Sequence, residues 1–117
     1  MSTDATGGAR MDGALPSKLV EMVQYQEGSV VSRILYQHAT GTLTVFAFAQ
    51  GQALSEHTVP FEAFIQILDG TARITIGGKV CVVAQGEIVR MPGGVPHQVD
   101  ADERFKMLLT LFRAPPG

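Results

Sequence analysis

Residues 86–97 read GEIVRMPGGVPH, and this stretch is the most informative part of the chain. A short run of apolar and β-branched residues, Ile88 to Met91, is followed by a Pro-Gly-Gly turn and a histidine. Proline presets one backbone angle of a turn, and glycine adopts positive φ at little steric cost. The pattern G-x5-P-x-G-x2-H therefore predicts a strand, a tight turn and His97 at the start of the next strand.

Short apolar runs separated by turn residues continue on both sides of this stretch. Residues 19–25, 30–37 and 42–50 are predicted strands because they are rich in β-branched and aromatic side chains. Asp69-Gly70 and Gly77-Gly78 predict hairpin turns, since two-residue loops need the positive φ that glycine supplies.

The whole pattern amounts to about eight or nine short strands with no sustained helical period, which is typical of an all-β sandwich or barrel. The runs 44–49 and 106–112 are apolar on both faces. One face should fill the interior, and the other should pack against the facing sheet or a partner subunit. A short helix over residues 15–25 is the alternative to the first strand, but Glu27-Gly28 would end it.

Length and composition predict one soluble domain. The chain has 117 residues, of which 45% are hydrophobic, enough for a single core. Nine basic residues against eleven acidic residues, with no basic run, argue against a nucleic-acid surface. Cys81 is the single cysteine, so no intrachain disulfide can form, which suits a reducing compartment. Neither a signal-peptide pattern nor a long apolar run is found, so we expect a cytoplasmic protein without membrane contact.

The beginning of the chain differs in composition from the rest. Residues 1–15 are mostly small and polar, and we predict that they form a flexible N-terminal tail because they cannot bury enough apolar surface to become ordered. Residues 16–117 are then a single β-barrel domain.

The stretch described first resembles the second motif of the cupin family. The matching residues are Gly86, Pro92, Gly94 and His97. The first cupin motif, G-x5-H-x-H-x(3 or 4)-E-x6-G, is matched in part upstream, by Gly51, His57 and Gly70. The resemblance covers residues 40–112. It implies an antiparallel double-stranded β-helix, or jelly-roll barrel, whose interior in this family often holds a metal ion on three histidines and a glutamate.

Two ligand positions of the cupin pattern carry apolar residues in this chain. Val59 stands where the second histidine belongs, and Ala63 stands where the glutamate belongs, with Glu62 one residue away. A slip of one residue turns a strand side chain to the opposite face, so Glu62 could reach the interior only if Pro60 introduces a bulge. Without that bulge, Glu62 is a solvent-exposed carboxylate.

His57 and His97 are the candidate metal ligands, with Glu62 as a third. Neutral imidazole nitrogens bind Zn, Fe, Ni, Mn or Cu, and two rings that converge inside a barrel could hold one divalent ion. The alternative is that both rings are hydrogen-bonded to water or backbone and bind no metal. His38 lies beside a turn, matches neither motif and is interpreted as a surface residue.

The ligand pocket is predicted around the same two histidines. Its expected lining is His57, His97, Val59, Ala63, Met91 and Met107. Because methionine is flexible and fills irregular gaps, Met91 and Met107 are interpreted chiefly as interior packing.

Three functions are open at this point. The first is a barrel that binds a small organic molecule beside a divalent metal acting as a Lewis acid; the resemblance implies dioxygenase, isomerase, decarboxylase or lyase chemistry. The second is a metal-free binding or sensing module, suggested by Val59 and Ala63. The third is a structural dimerisation unit, suggested by the strands that are apolar on both faces. The resemblance also implies a homodimer, but it names no reaction, since the fold hosts enzymes, storage proteins and regulators alike.

Overall fold

The computed structural model describes residues 15–113 and contains eight antiparallel strands and one short 3₁₀ helix. The helix covers Leu19–Glu21. The strands are β1 (Val30–His38), β2 (Gly41–Phe48), β3 (Ala53–His57), β4 (Glu62–Ile76), β5 (Lys79–Ala84), β6 (Ile88–Met91), β7 (His97–Asp100) and β8 (Phe105–Phe112). The all-β prediction is confirmed.

The strands form a curled arrangement of two sheets that share β4. In the first sheet, the strand order is β1-β2-β8-β4-β6, and in the second it is β3-β7-β4-β5. The first part of β4, from Glu62 to Gly70, pairs with β8, whereas the part from Thr71 to Ile76 pairs with β5 and β7. This one strand therefore passes from one wall of the barrel to the other, and the two walls enclose a common interior.

Gly70 is the point at which β4 changes sheet. Its φ is +77°, and a register shift in the pairing with β8 lies just before it, between Ile67 and Asp69. The predicted hairpin at Asp69-Gly70 is wrong, because the positive φ of the glycine here bends a continuous strand. The hairpin predicted at Gly77-Gly78 is confirmed: both glycines have positive φ, and they join β4 to β5.

The main core lies between the two walls. Its fully buried members come from β2, β4, β7 and β8: Phe48, Ile65, Ile67, Ile74, Val99, Phe105 and Met107. The rings of Phe48 and Phe105 stack with their centroids 4.5 Å apart. Alternation along each strand sends these side chains inward, which leaves every second residue on the outer face.

A second, smaller core covers the outer face of β1 and β2. It contains Val23, Leu35, Val45 and Ala47, with Leu19, Met22 and Tyr25 packed against them. Both faces of β2 are packed, but the partner predicted for the outer face, the facing sheet or a second subunit, is wrong, because residues 19–25 of the same chain cover that face. The strand predicted over 19–25 is wrong, because this segment forms the 3₁₀ helix and an irregular stretch that lies across the sheet.

Two polar contacts hold this N-terminal segment in place. The Nζ of the buried Lys106 donates a hydrogen bond to the carbonyl oxygen of Val20 at 2.7 Å. The hydroxyl of Tyr25 donates to Asp69 at 2.6 Å, and burial together with this bond raises the pKa of the tyrosine. The predicted tail, residues 1–15, falls almost wholly outside the described residues. Within residues 15–113, no helix is long and apolar enough to cross a membrane.

Candidate functional site

Two histidine rings meet at one end of the barrel. His57 is the last residue of β3, and His97 is the first residue of β7. The two strands pair so that these residues stand directly opposite each other, with ring centroids 4.3 Å apart and ring planes at 66°. A register shift between Leu54 and His57 twists the end of β3 where it delivers His57.

Both rings use the same nitrogen to bind the backbone. The Nδ1 of His57 lies 2.9 Å from the carbonyl oxygen of Ser55, and the Nδ1 of His97 lies 3.4 Å from that of Val95. A carbonyl oxygen only accepts, so each Nδ1 is the protonated donor and each Nε2 of the neutral ring keeps a lone pair. Metal-binding histidines are commonly oriented in this way by a backbone carbonyl.

The two rings differ in their exposure. His97 is only 6% exposed, whereas His57 is exposed to solvent. Burial lowers the pKa of His97, the proximity of His57 lowers it further, and the weak bond to Val95 opposes both effects. His97 is therefore neutral at pH 7, and its Nε2 lone pair is free to bind an electrophile.

The histidines border a small cavity. Its volume is about 80 Å³, and its lining consists of Leu54, His57, Val59, Ala63, Ile65, Met91, His97, Val99, Met107, Leu109 and Leu111. Nine of these eleven residues are apolar. Since one water occupies about 30 Å³ of liquid, the cavity has room for an ion with one or two waters or for a ligand of a few heavy atoms.

The structure brings together the whole predicted pocket. His57, His97, Val59, Ala63, Met91 and Met107 all line the cavity. Sequence reasoning missed the other five lining residues, and strand alternation could have found most of them. Ile65 is two residues from Ala63, Val99 is two from His97, and Leu109 and Leu111 continue the face of Met107.

Glu62 is not brought to the histidines. Its carboxylate accepts a hydrogen bond from Nε of Arg90 at 2.7 Å and another from the backbone N–H of Gly93 at 2.8 Å. It is absent from the cavity lining, and the strand ladder places it next to the inward-facing Ala63. Glu62 thereby fastens the Pro-Gly-Gly turn that precedes His97, a positioning role that the sequence did not reveal.

This contact has a measurable consequence for acid titration. The Arg90 guanidinium and the Gly93 amide lower the pKa of Glu62. The contact stabilises the fold when Glu62 is ionised. This contribution is lost as the pH falls below the pKa of an ordinary glutamate and then through the lowered pKa of Glu62. We expect a carboxyl NMR titration to give Glu62 a midpoint below that of a free glutamate, and Arg90→Gln to raise it. An ordinary midpoint in the unaltered chain would contradict the contact.

The donors at the cavity fit some metal ions better than others. Within residues 15–113, no group of three or more His, Cys, Asp and Glu side chains converges. Two imidazoles with free Nε2 lone pairs fit an ion that accepts nitrogen ligands. They do not fit an ion that needs several oxygen ligands, because Val59 and Ala63 supply none.

Comparison with known proteins agrees with this architecture. The family model for the cupin domain matches residues 44–111, more than half of the chain, so the protein belongs to the cupin family. No protein with curated information matches it.

Several solved structures are similar to this chain in both sequence and fold. A conserved protein of unknown function from Streptococcus pyogenes is 34% identical, with 91% of this chain and 93% of that chain covered and a TM-score of 0.85. A cupin 2 conserved barrel domain protein from Leptotrichia buccalis is 37% identical over 80% of this chain and 46% of that chain, with a TM-score of 0.78. A cupin superfamily protein from Desulfitobacterium hafniense is 25% identical over 89% of this chain and 95% of that chain, with a TM-score of 0.83.

Proposed function

We propose that the barrel binds one transition-metal ion through the Nε2 atoms of His57 and His97, with the adjoining cavity open to a small organic molecule. The observation that supports this most directly is the shared orientation of the two rings, which meet at 4.3 Å with both Nδ1 atoms on backbone carbonyls. Groups oriented in this way lose little freedom when they bind an ion. When bound, such an ion would act as a Lewis acid on an oxygen of the ligand.

The cavity limits the class of ligand. With about 80 Å³ and nine apolar lining residues, it accepts a compact, weakly polar molecule, or one small group of a larger molecule whose remainder lies outside. His57 is exposed and His97 is buried, so the ligand enters from the His57 side. The residues themselves bind and orient the ligand and exclude water; they do not specify one reaction among those that cupin barrels support.

Metal titration of the untagged protein tests this proposal. We expect about one ion per chain when Zn²⁺, Ni²⁺ or, without oxygen, Cu⁺ is added in separate calorimetric titrations. His57→Ala and His97→Ala should each weaken the tightest of these interactions by roughly 100-fold or more, because each removes one of two imidazoles. His38→Ala is the matched control. The ring of His38 is exposed, forms a hydrogen bond with Thr40 and does not line the cavity.

Two results would reject the proposal. One is the absence of saturable binding for all three ions. The other is binding that persists unchanged when His57 and His97 are both replaced.

A second candidate function is a metal-free pocket that binds or senses a small molecule without catalysis. The observation that favours it is the apolar lining, with Val59 and Ala63 at the positions of two missing ligands. In that case a ligand would saturate the pocket in the presence of a chelator. The homodimer and the cytoplasmic location remain predictions beside both candidates.

A further inference from the structure

We propose that the free edge of β5 docks a second copy of this chain, and that the two β5 strands pair antiparallel about a two-fold axis at Cys81. This inference is independent of any ion at the histidines. It assigns a surface to the predicted homodimer, for which the family resemblance gives none.

One side of β5 has no strand partner. Within the described part of the chain, β5 pairs with β4 alone. The turn at Gly77-Gly78 joins the two strands through two residues of positive φ, so Ile76 and Lys79 form the closing hydrogen-bonded pair. Since hydrogen-bonded and non-hydrogen-bonded pairs alternate, the N–H and C=O groups of Val80 and Val82 point away from β4.

Two hydrogen bonds beyond the turn confirm this alternation. The N–H of Gln85 donates to the carbonyl oxygen of Gly70 in β4 at 3.0 Å, so the odd-numbered residues face β4. The N–H of Ala84 donates instead to a carboxylate oxygen of Glu87 at 2.8 Å. The free edge of β5, defined as the N–H and C=O groups of Val80 and Val82, therefore ends where Glu87 begins to supply a partner.

This edge lacks the features that usually prevent strands from pairing between molecules. Its ladder with β4 runs without a register shift, whereas the ladders of the edge strands β1 and β3 are each interrupted by one. Lys79–Ala84 contains no proline, and its one charge is at the first residue. Val80 is 60% exposed and Val82 is 65% exposed. A regular, apolar, exposed edge of this kind favours the addition of another strand.

A second copy fits the free edge because the edge is complementary to itself. With a two-fold axis at Cys81, Val80 of each copy stands opposite Val82 of the other, and every N–H and C=O group of both free edges has a partner. A shift of the register in one direction would need Gly78, which lies in the turn. A shift in the other direction would need the N–H of Ala84, which is bonded to Glu87.

The side chains support the same arrangement. Alternation places the exposed valines of both copies on one outer face, where they form a continuous apolar patch. Lys79 begins β5, and Glu87 lies just beyond its end. Antiparallel pairing therefore brings Lys79 of each copy toward Glu87 of the other, whereas parallel pairing would bring like charges together.

Analytical ultracentrifugation tests whether the dimer forms. A ladder this short buries less than the roughly 1,200 Å² of a standard interface, so we expect a Kd of roughly 10–100 μM in runs between about 5 and 500 μM. Val80→Lys and Val82→Lys should each raise that Kd by about tenfold or more, because a lysine blocks an edge without disturbing the β4 side. Tyr36→Lys is the matched control, since Tyr36 is 51% exposed on the edge strand β1.

Oxidation of Cys81 tests the position of the axis. Cys81 is the single cysteine and is half-buried, and the axis places it opposite itself in a non-hydrogen-bonded pair. The Cα atoms of such a pair lie about 4.5 Å apart, within the range that a disulfide spans. Diamide, which takes up the two thiol hydrogens and is reduced to a hydrazine as the S–S bond forms, should give a covalent dimer. Val82→Lys should reduce its yield by about tenfold, in proportion to the weaker pairing.

A mixing experiment tests the register without the native cysteine. One variant carries Val80→Cys with Cys81→Ser, and the other carries Val82→Cys with Cys81→Ser. The mixture should cross-link, because the two new thiols stand opposite each other. Each variant alone should not, because its two thiols are diagonal neighbours about 7–8 Å apart, beyond the reach of a disulfide.

Three results would overturn the proposal. The first is a chain that stays monomeric throughout the concentration range. The second is a dimer that Val80→Lys and Val82→Lys weaken no more than Tyr36→Lys does. The third is cross-linking of the single variants that equals cross-linking of their mixture.

Discussion

Phe105→Ala should lower the free energy of unfolding by about 3–5 kcal/mol, as large-to-small changes of a buried phenylalanine do. Phe105 is 0% exposed, stacks on Phe48 at 4.5 Å and lies opposite Gly70 at the bend of β4. Its removal would leave a void where the two walls of the barrel meet. Because small domains have only about 5–15 kcal/mol of stability, urea denaturation should show a large loss.

Phe112→Ala is the control for this measurement. Phe112 lies on the same strand, but it is 52% exposed, and its main aromatic contact is an edge-on approach to Phe64 at 6.0 Å. We expect it to cost about 1 kcal/mol or less. Equal losses for the two variants would show that the packing of Phe105 does not hold the walls together.

Gly70→Ala should destabilise the protein by about 2–5 kcal/mol, for two separate reasons. The φ of +77° is unfavourable for any residue with a side chain. In addition, a Cβ at this position would lie 2.5 Å from the carbonyl oxygen of Arg104, so the backbone of the two strands would have to move apart.

Gly78→Ala separates these two reasons. Gly78 has a φ of +82°, but no atom lies within 4 Å of the position of its Cβ. It should therefore cost only the conformational part, about 1–2 kcal/mol. If thermal or urea unfolding shows the same loss in the free energy of unfolding for both variants, the close approach to Arg104 does not contribute to the cost of Gly70→Ala.

The two glycine positions also show how far local sequence rules extend. Asp69-Gly70 and Gly77-Gly78 have the same turn chemistry, and the sequence predicts a hairpin at each. Only the second reverses the chain, because local chemistry fixes the sign of φ and not the direction of the next strand. That direction depends on β8, which pairs with β4 up to Gly70 and comes from a distant part of the chain.

The candidate site was predictable where it depended on motif spacing. The spacing of glycine, proline and histidine in the two motif stretches predicted His57 and His97 as partners. The cupin pattern placed Val59 and Ala63 beside them, and Met107 was predicted as interior packing. The partner of Glu62 was not predictable, since Arg90 and Gly93 lie about thirty residues away and meet it only in the folded ladder. The short helix at Leu19–Glu21 lies within the alternative that the sequence offered over residues 15–25, but the strand was preferred there because the apolar residues of this segment pack on an outer sheet face, and their spacing does not distinguish that arrangement from a strand.

The sharing of β4 between both sheets has a consequence for how the protein unfolds. This strand pairs with four of the seven other strands in residues 15–113, and only the ladders β1–β2, β2–β8 and β3–β7 do not include it, so each wall loses much of its hydrogen bonding once β4 has detached. For the two sheets to unfold separately, one half of β4 would have to unfold while the other half stayed paired, with the boundary at Gly70. The barrel should therefore behave as one cooperative unit, in which the ligand cavity and the hydrophobic interior are lost in a single transition.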